Sequence, residues 1–212
     1  MKPQRLIIGC LVVLLAGCVP IVSLHPLFTG EDIVFEKKLL GTWVDDANDP
    51  EITWEFARLE EDETDALPEG LQDRIESLYR LKLTDDEGHG GSFVATLVRL
   101  NGRRFLDIFP DKFPSGEPDV EKMKLVYNAF FFLRLHTFVR VDMIGKRLQM
   151  RLTDDEEFAE LLEAQPNAVR HEVVEDRPIL TAGTKELQAF VLKHADDEKL
   201  FPNEVVLQRK KP

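Results

Sequence analysis

Apolar and polar residues alternate along several stretches of the chain. In 51–58, for example, Ile52, Trp54 and Phe56 share one face, while charged and polar residues occupy the other. This period of two predicts β-strands with one buried and one solvated face. Alternation, together with the turns between segments, predicts strands at 51–58, 78–84, 92–100, 103–109, 135–143, 148–152 and 204–209.

Turn residues indicate how these strands connect. Asn101-Gly102 is a strong two-residue hairpin signal, and the Asp- and Gly-rich stretch 84–91 predicts a second hairpin. Two helices are predicted late in the chain. One begins at the capping box of 153–156 and runs to Ala164, and the other is capped by Thr184 and runs to His194.

A further short strand is predicted at 170–175. The segment Leu40-Gly41-Thr42-Trp43 precedes the first of these strands. Its Gly-x-Trp pattern resembles the first signature of the lipocalins and other calycins. The resemblance implies that Trp43 closes the barrel floor against a late basic residue, either Arg209 or Lys210. We therefore predict a mainly β fold, an antiparallel up-and-down lipocalin-like barrel of about eight strands, because closure removes exposed strand edges. The alternative is an open antiparallel sheet with helices on one side.

The N-terminus carries a separate signal. Lys2 and Arg5 precede the apolar run 6–15, which is too short to span a bilayer, and Leu15-Ala16-Gly17-Cys18 follows. This arrangement closely resembles the bacterial lipoprotein signal and its lipobox. The resemblance implies that Cys18 becomes the N-terminus and carries a covalent diacylglycerol and acyl modification. No other cofactor is expected. Val19 in the next position resembles the outer-membrane sorting pattern of enteric lipoproteins, and this resemblance implies an outer-membrane anchor with the domain facing the periplasm.

These patterns divide the chain into a signal peptide (1–17), a lipidated lead-in (18–30) and the barrel domain (31–212). The lead-in lacks the composition of a flexible linker, so we expect its apolar residues to pack on the domain; these are Ile21, Val22, Leu24, Leu27 and Phe28. The mature chain also resembles a group of uncharacterised bacterial lipoproteins in segments such as 24–28, 105–110 and 181–184. That resemblance implies an address and a fold, not an activity.

Net charge limits the classes of binding partner, and cysteine content excludes a disulfide within the mature chain. The formal net charge is −12, and losing Lys2 and Arg5 makes it more negative by two. Such a surface argues against nucleic-acid binding and against charge-driven binding to anionic headgroups. With Cys10 removed and Cys18 acylated, the chain has no pair of thiols for a disulfide.

Motifs for catalysis and metal binding are missing from the sequence. There is no Gly-x-Ser-x-Gly, His-Glu-x-x-His or glycine-rich phosphate loop, and the acidic runs do not fit a calcium loop. His136 lies on a predicted strand face with Arg140 and Asp142. A polar strand face usually just meets water, but this set supports the hypothesis of a hydrolase or isomerase, which requires a cleft around His136.

An aromatic set offers another candidate site. It either lines a cavity for an apolar ligand or fills the barrel, and the filled barrel is favoured; the set is Trp54, Phe56, Tyr79, Phe93 and Phe105. Phe130, Phe131 and Phe132 are interpreted as core rather than as a lid or partner patch. The leading hypothesis is a non-enzymatic binding or envelope-interaction module whose partner is a protein of the envelope or an apolar small molecule. A third is an assembly or inhibitor protein that docks through its late helices.

Overall fold

Eight of the strands close into one antiparallel barrel. This closure excludes the alternative of an open sheet. A computed structural model describes residues 21–46, 50–60, 67–68, 70–111 and 133–210. The chain contains these strands: β1 (Val22–Ser23), β2 (Gly41–Val44), β3 (Ile52–Arg58), β4 (Leu78–Asp85), β5 (Gly90–Leu100), β6 (Arg103–Pro110), β7 (Thr137–Ile144), β8 (Arg147–Leu152), β9 (His171–Val174), β10 (Arg177–Leu180) and β11 (Asn203–Arg209).

The barrel strands follow chain order, in the sequence β2-β3-β4-β5-β6-β7-β8-β11, and β11 returns to pair with β2. β11 pairs along most of its length with β8, whereas its pairing with β2 is confined to Gln208 opposite Val44 and Arg209 opposite Trp43. The predicted β5–β6 hairpin is confirmed, with positive φ angles at Asn101 and Gly102. An up-and-down lipocalin-like barrel is therefore the fold of this domain.

Strand direction gives the barrel two distinct ends. The open end carries the β4–β5 turn, the start of β7 and the end of β8. The closed end carries the β5–β6 and β7–β8 turns. A 3₁₀ helix, Lys37–Leu39, leads into β2 at the closed end, and a second one, Gln72–Ser77, precedes β4.

Two hydrophobic cores lie on opposite sides of the barrel wall. The interior core fills much of the barrel and includes Leu39, Trp43, Trp54, Phe56, Tyr79, Leu97, Leu106, Val141 and Met150. The outer core covers the outside of β4 to β7 and includes Leu27, Phe28, Val98, Phe105, Phe109, Phe138, Phe158 and Phe190. Strands β5 and β6 are therefore buried on both faces.

The outer layer is built from the lead-in, a small sheet and two helices. In the small sheet β1 runs parallel to β10, and β10 pairs antiparallel with β9. The helices are α1 (Asp155–Ala164) and α2 (Thr184–His194). Within the lead-in Ile21, Leu27 and Phe28 are buried as expected, whereas Leu24 is 36% exposed.

The structure corrects some local predictions. Helix α1 is capped by Asp154, whose carboxylate accepts a hydrogen bond from Glu157 N, and Thr153 lies outside the cap. Helix α2 is preceded by Gly183, and the Thr184 hydroxyl instead donates to Pro26 O at 2.9 Å. The hydroxyl of Thr184 thus ties the lead-in to α2. The short strand expected near 170–175 is half of a hairpin, since β10 follows it.

Several predictions lie outside the described residues. These concern the signal peptide 1–17, lipidation at Cys18 and the Phe130–Phe132 segment. In the described part of the chain no helix is both long and apolar enough to cross a membrane.

Candidate functional site: an apolar cavity at the open end of the barrel

A cavity of about 490 Å³ occupies the open end of the barrel. Ligand pockets typically measure roughly 300–1,000 Å³, so this volume suits a small molecule. Its apolar lining comes from six strands of the barrel and consists of Ile52, Trp54, Leu83, Phe93, Ile108, Val139 and Leu152. Because these inward positions lie near the open ends of their strands, the cavity belongs to the barrel interior and opens at one end.

Among the described residues, the polar groups that border the cavity lie at the strand ends and turns of the open end. They belong to Thr84, Asp85, His89, Thr137 and Thr153. The β4–β5 turn is held by its own hydrogen bond, in which His89 N donates to Asp85 Oδ1 at 2.7 Å. An apolar interior with a polar rim is the arrangement that accepts an apolar group and leaves a polar group at the mouth.

The closed end contains the predicted Gly41 and Trp43 signature. The Trp43 indole donates to Leu39 O at 2.8 Å, and the Arg209 guanidinium lies over the Trp43 ring at 4.6 Å. The guanidinium also donates to Leu40 O at 2.7 Å. Of the two basic candidates, Arg209 is thus the one that packs on Trp43.

Gly41 fits this contact because of both its conformation and its size. Its φ of +113° is one that side chains rarely adopt, and a Cβ here would lie 2.5 Å from Arg209 Nη1. The glycine therefore leaves the space that Arg209 needs to reach Trp43 and the Leu40 carbonyl.

Tyr79 belongs to the same interior core as Leu39 and Trp43. Its hydroxyl accepts from Glu36 N at 2.6 Å and donates to Glu36 O at 3.2 Å, and its ring stacks on Phe35 with centroids 5.1 Å apart. Burial raises the pKa of Tyr79 to about 12, with the Glu36 carboxylate adding to the rise and the backbone hydrogen bond and Arg58 opposing it. The closed end is thus filled and hydrogen-bonded.

No family model, curated protein or solved structure matches this chain. The interpretation of the site therefore comes from the geometry of this chain alone. Within the described residues no group of three or more His, Cys, Asp and Glu side chains is placed to hold a metal ion.

The five aromatic residues of the expected lining set occupy three different places. Trp54 and Phe93 line the cavity. Phe56 and Tyr79 pack against each other deeper in the barrel, with ring centroids 6.1 Å apart. Phe105 faces outward and belongs to the outer core, contrary to the expectation. Of the residues that the structure describes, those in the closed half of the barrel are packed together and those in the open half surround a cavity.

His136 lies outside the barrel, beneath the lead-in. The residue is 6% exposed, its Nδ1 is 2.7 Å from Asp107 Oδ1, and the centroid of its ring is 5.0 Å from that of Phe109. The other Asp107 oxygen accepts from Leu27 N at 2.7 Å. The Asp107–His136 pair therefore fastens the lead-in to β6, and His136 does not border the cavity.

The structure does not gather Arg140 and Asp142 around His136. The Arg140 guanidinium contacts Asp196 Oδ1 at 2.7 Å in the segment after α2, and Asp142 is its more distant partner at 3.5 Å. The two Arg residues beside Asp196, Arg103 and Arg140, hold the pKa of that carboxyl below its usual range. This cluster ties α2 to the outside of β6 and β7.

The aliphatic half of the lining and the role of Asp107 were missed by the sequence reasoning. Leu83, Ile108 and Val139 occupy inward-facing positions of their strands. An inward-facing position alone does not show whether a residue lines a cavity or packs in the core. For Asp107 a signal exists: a lone carboxylate inside the apolar run 105–109 needs a buried partner.

Proposed function

We propose that this chain is a lipid-anchored, periplasm-facing binding module that holds the apolar part of a small molecule in the open half of its barrel. The observation that carries the proposal is the cavity of about 490 Å³ with its apolar wall. A barrel built only as a scaffold for protein contacts gains nothing from leaving such a volume unfilled, because interior voids cost stability. The small-molecule alternative is thus favoured over a filled barrel that acts through its surface.

The closed end supports this proposal because it seals the cavity at one end of the barrel. Trp43, Tyr79 and Leu39 block the far end, so the mouth is the entrance that the described residues leave for a ligand. Burial of an apolar chain against Ile108, Val139 and Leu152 is favourable by about 25 cal/mol for each Å² removed from water. Specificity for the polar end of the ligand would come from the rim residues around Asp85 and His89.

The anchor is the second part of the proposal. A diacylglycerol with a further acyl chain at Cys18 holds a protein stably on a membrane, whereas a single chain binds only marginally. We see no structural support for a catalytic role of His136, whose ring is covered by the lead-in and paired with Asp107. Binding rather than catalysis is therefore the function we propose.

A titration with a fluorescent single-chain fatty acid tests the cavity. The Cys18→Ser domain is titrated alongside a variant carrying Val139→Trp, which puts a large ring into the cavity from an inward position of β7. Val206→Trp is the matched control, since Val206 is 41% exposed on β11. We expect saturable binding of one probe, weakened at least tenfold by Val139→Trp and unchanged by Val206→Trp.

Equal binding by all three proteins, or no binding by any, would overturn the cavity as the site. The anchor is tested separately from the mass of the mature chain purified from its own membrane. A mass that includes the acyl modification at Cys18 supports the anchor, and an unmodified cysteine contradicts it.

A further inference from the structure

We propose that the outer edge of strand β9, with the acidic groove beside it, binds an extended basic segment of a partner protein. This surface belongs to the outer layer and shares no residue with the lining of the cavity in the barrel. It adds a protein partner to a chain whose proposed ligand is a small molecule. The inference depends neither on that ligand nor on lipidation of Cys18.

Strand β9 is an edge strand. Among the described residues the order of the small sheet is β1-β10-β9, so β9 pairs with β10 on one side only. The hairpin turn between the two strands consists of Glu175 and Asp176, with φ angles of +49° and +63°. Positive φ at both central residues is typical of a type I′ turn, in which the two flanking residues are joined by a hydrogen bond.

The register shows which backbone groups of β9 face away from β10. Val174 and Arg177 flank the turn and form its hydrogen-bonded pair, and such pairs alternate with pairs that exchange no hydrogen bonds. Val173 therefore exchanges none with Pro178, whose nitrogen has no hydrogen to donate. By the same alternation His171 exchanges none with β10. The N–H and C=O groups of His171 and Val173 thus point to the outer edge, where a further strand can pair with them.

The side chains of His171 and Val173 border a groove of about 330 Å³ between β9 and α1. Leu162 of α1 and Pro178 of β10 contribute apolar atoms to the same groove. Val173 is 62% exposed on this side of the sheet, and its neighbour Val174 is 51% exposed on the other side. A strand added at the edge of β9 would cover part of both valines, because its side chains alternate between the two faces.

Acidic side chains surround the groove. Glu163 of α1 and Asp176 of the hairpin turn border it. Glu156 and Glu160 lie seven and three residues before Glu163, on the same side of the helix. All four side chains are exposed. The groove therefore favours a partner with positive charge.

The two arginines next to β9 do not neutralise these acids. The Arg170 guanidinium contacts Glu186 Oε2 at 2.7 Å, at the start of α2. Arg177 faces the side of the sheet opposite the groove, because it pairs with Val174 whereas Pro178, which borders the groove, pairs with Val173.

Charge also argues against a second copy of this chain as the occupant. Two copies paired through β9 would bring their acidic grooves together, in a chain of net charge −12, and like charges across an interface oppose association. In strand addition, main-chain hydrogen bonds give affinity and alternate side chains give specificity. The segment that fits has Lys or Arg on the face towards Glu163 and Asp176, and apolar residues on the face towards Val174.

Fluorescence anisotropy of a labelled peptide tests this surface. The peptide alternates lysine and valine over about seven residues, and the same peptide with glutamate in place of lysine is the charge control. Each peptide is titrated with the chain that carries Cys18→Ser. We expect saturable binding of the lysine peptide, weakened at least tenfold when salt is raised from about 0.05 to about 0.5 M. We expect no binding of the glutamate peptide.

Val173→Pro blocks the edge. Proline removes the outward N–H and leaves the pairing with β10 intact, because that N–H takes no part in it. We expect at least a tenfold loss of affinity for the lysine peptide. Val173→Thr keeps the N–H at the same position and is the matched control, for which we expect a change of less than threefold. Circular dichroism checks that both variants are folded.

Charge is tested separately from the edge. Glu163→Gln combined with Asp176→Asn should weaken binding at least threefold at low salt and reduce the effect of added salt. The matched control removes two exposed charges from the β4–β5 turn, through Asp86→Asn and Glu87→Gln, and should leave binding unchanged.

Equal binding of the two peptides, or no binding of either, overturns the proposal. So does a lysine peptide whose binding is unaffected by Val173→Pro or by the loss of the two groove charges. A dimer of the unliganded chain that Val173→Pro dissociates would assign the edge to a second copy and contradict a basic partner. The cavity is tested with the fatty-acid probe, so failure of either site is distinguishable from failure of the other.

Discussion

The two ends of the barrel use the same strands for opposite purposes. At the closed end Trp43, Arg209 and Tyr79 are held by stacking and by hydrogen bonds to backbone carbonyls of the segment before β2. At the open end the inward residues of the same strands surround a cavity of about 490 Å³. Packed and hydrogen-bonded side chains are therefore concentrated at one end of the barrel, and the cavity that we propose as the binding site lies at the other.

This division explains where each kind of substitution should act. A change at the closed end removes packed atoms and bonded groups, so it should cost stability. A change of similar size at the open end alters a volume that is already unfilled, so it should cost less stability and more binding. The following predictions compare the two ends directly.

The two tryptophans give the largest expected difference. They lie opposite each other on β2 and β3, but Trp54 borders the cavity and Trp43 does not. Trp43→Ala should lower the free energy of unfolding by about 4 kcal/mol, because it leaves a void and unpairs the Leu39 carbonyl. Trp54→Ala should cost about 2 kcal/mol, because it enlarges an existing cavity. Urea denaturation measures both, and equal losses would contradict the division.

Asp107 tests how the open end is supported from outside. Asp107→Ala removes the acceptor of Leu27 N and the partner of His136, which should cost about 3 kcal/mol because buried donors lose their partners. Hydrogen exchange should accelerate at Leu27 before it does so at the closed end. Asp107→Asn, which keeps one oxygen, is the control and should have a smaller effect. Unchanged exchange at Leu27 in the alanine variant would rule out this anchoring role.

Tyr79 makes the closed end sensitive to alkali. Its ordinary pKa is about 10, and burial raises the pKa of Tyr79 to about 12, so the folded state holds the proton more tightly than the unfolded state. The stabilisation is complete below pH 10 and is lost as the pH rises from 10 to 12, by roughly 2 to 3 kcal/mol. Urea denaturation between pH 9 and 12 should show this loss, and Tyr79→Phe should remove it. A Tyr79→Phe variant with the same slope would assign the loss to other groups.

Two glycines with positive φ give the smallest expected difference in the free energy of unfolding. Gly41→Ala should cost about 2 kcal/mol, because the backbone is strained and the new Cβ displaces Arg209 from Trp43. Gly102→Ala has the same kind of backbone with nothing within 4 Å of the new Cβ, and should cost only about 1 kcal/mol. Thermal unfolding compares the two, and equal costs would show that the Arg209 contact contributes nothing.

Local patterns were sufficient to predict the strands. They were not sufficient to predict features that depend on contacts between distant segments. Ile52, Trp54 and Phe56 alternate against polar neighbours, so their inward face was readable. In 105–109 both faces of β6 are buried, so the alternation of apolar and polar residues is absent and does not show which side chains face the barrel interior. This is why Phe105 was expected inside the barrel and Asp107 was overlooked.

Closure of the barrel and the depth of the cavity depend on strand pairing and on side-chain packing, which the alternation of apolar and polar residues does not reveal. An open sheet and a barrel share the same pattern, and only the pairing of β11 with both β8 and β2 separates them. Register likewise decides that Arg209, opposite Trp43, is the basic partner rather than Lys210. The volume left above Phe56 depends on the summed sizes of side chains from six strands, which no single segment reveals.

Native mass spectrometry of the Cys18→Ser domain after incubation with a total lipid extract tests the central claim most directly. Our account predicts one added mass that is extractable into organic solvent, present in the Val206→Trp control and lost in Val139→Trp. A bare polypeptide mass in every sample, or an equal adduct on the Val139→Trp variant, would contradict the claim that the open end of this barrel is a binding site.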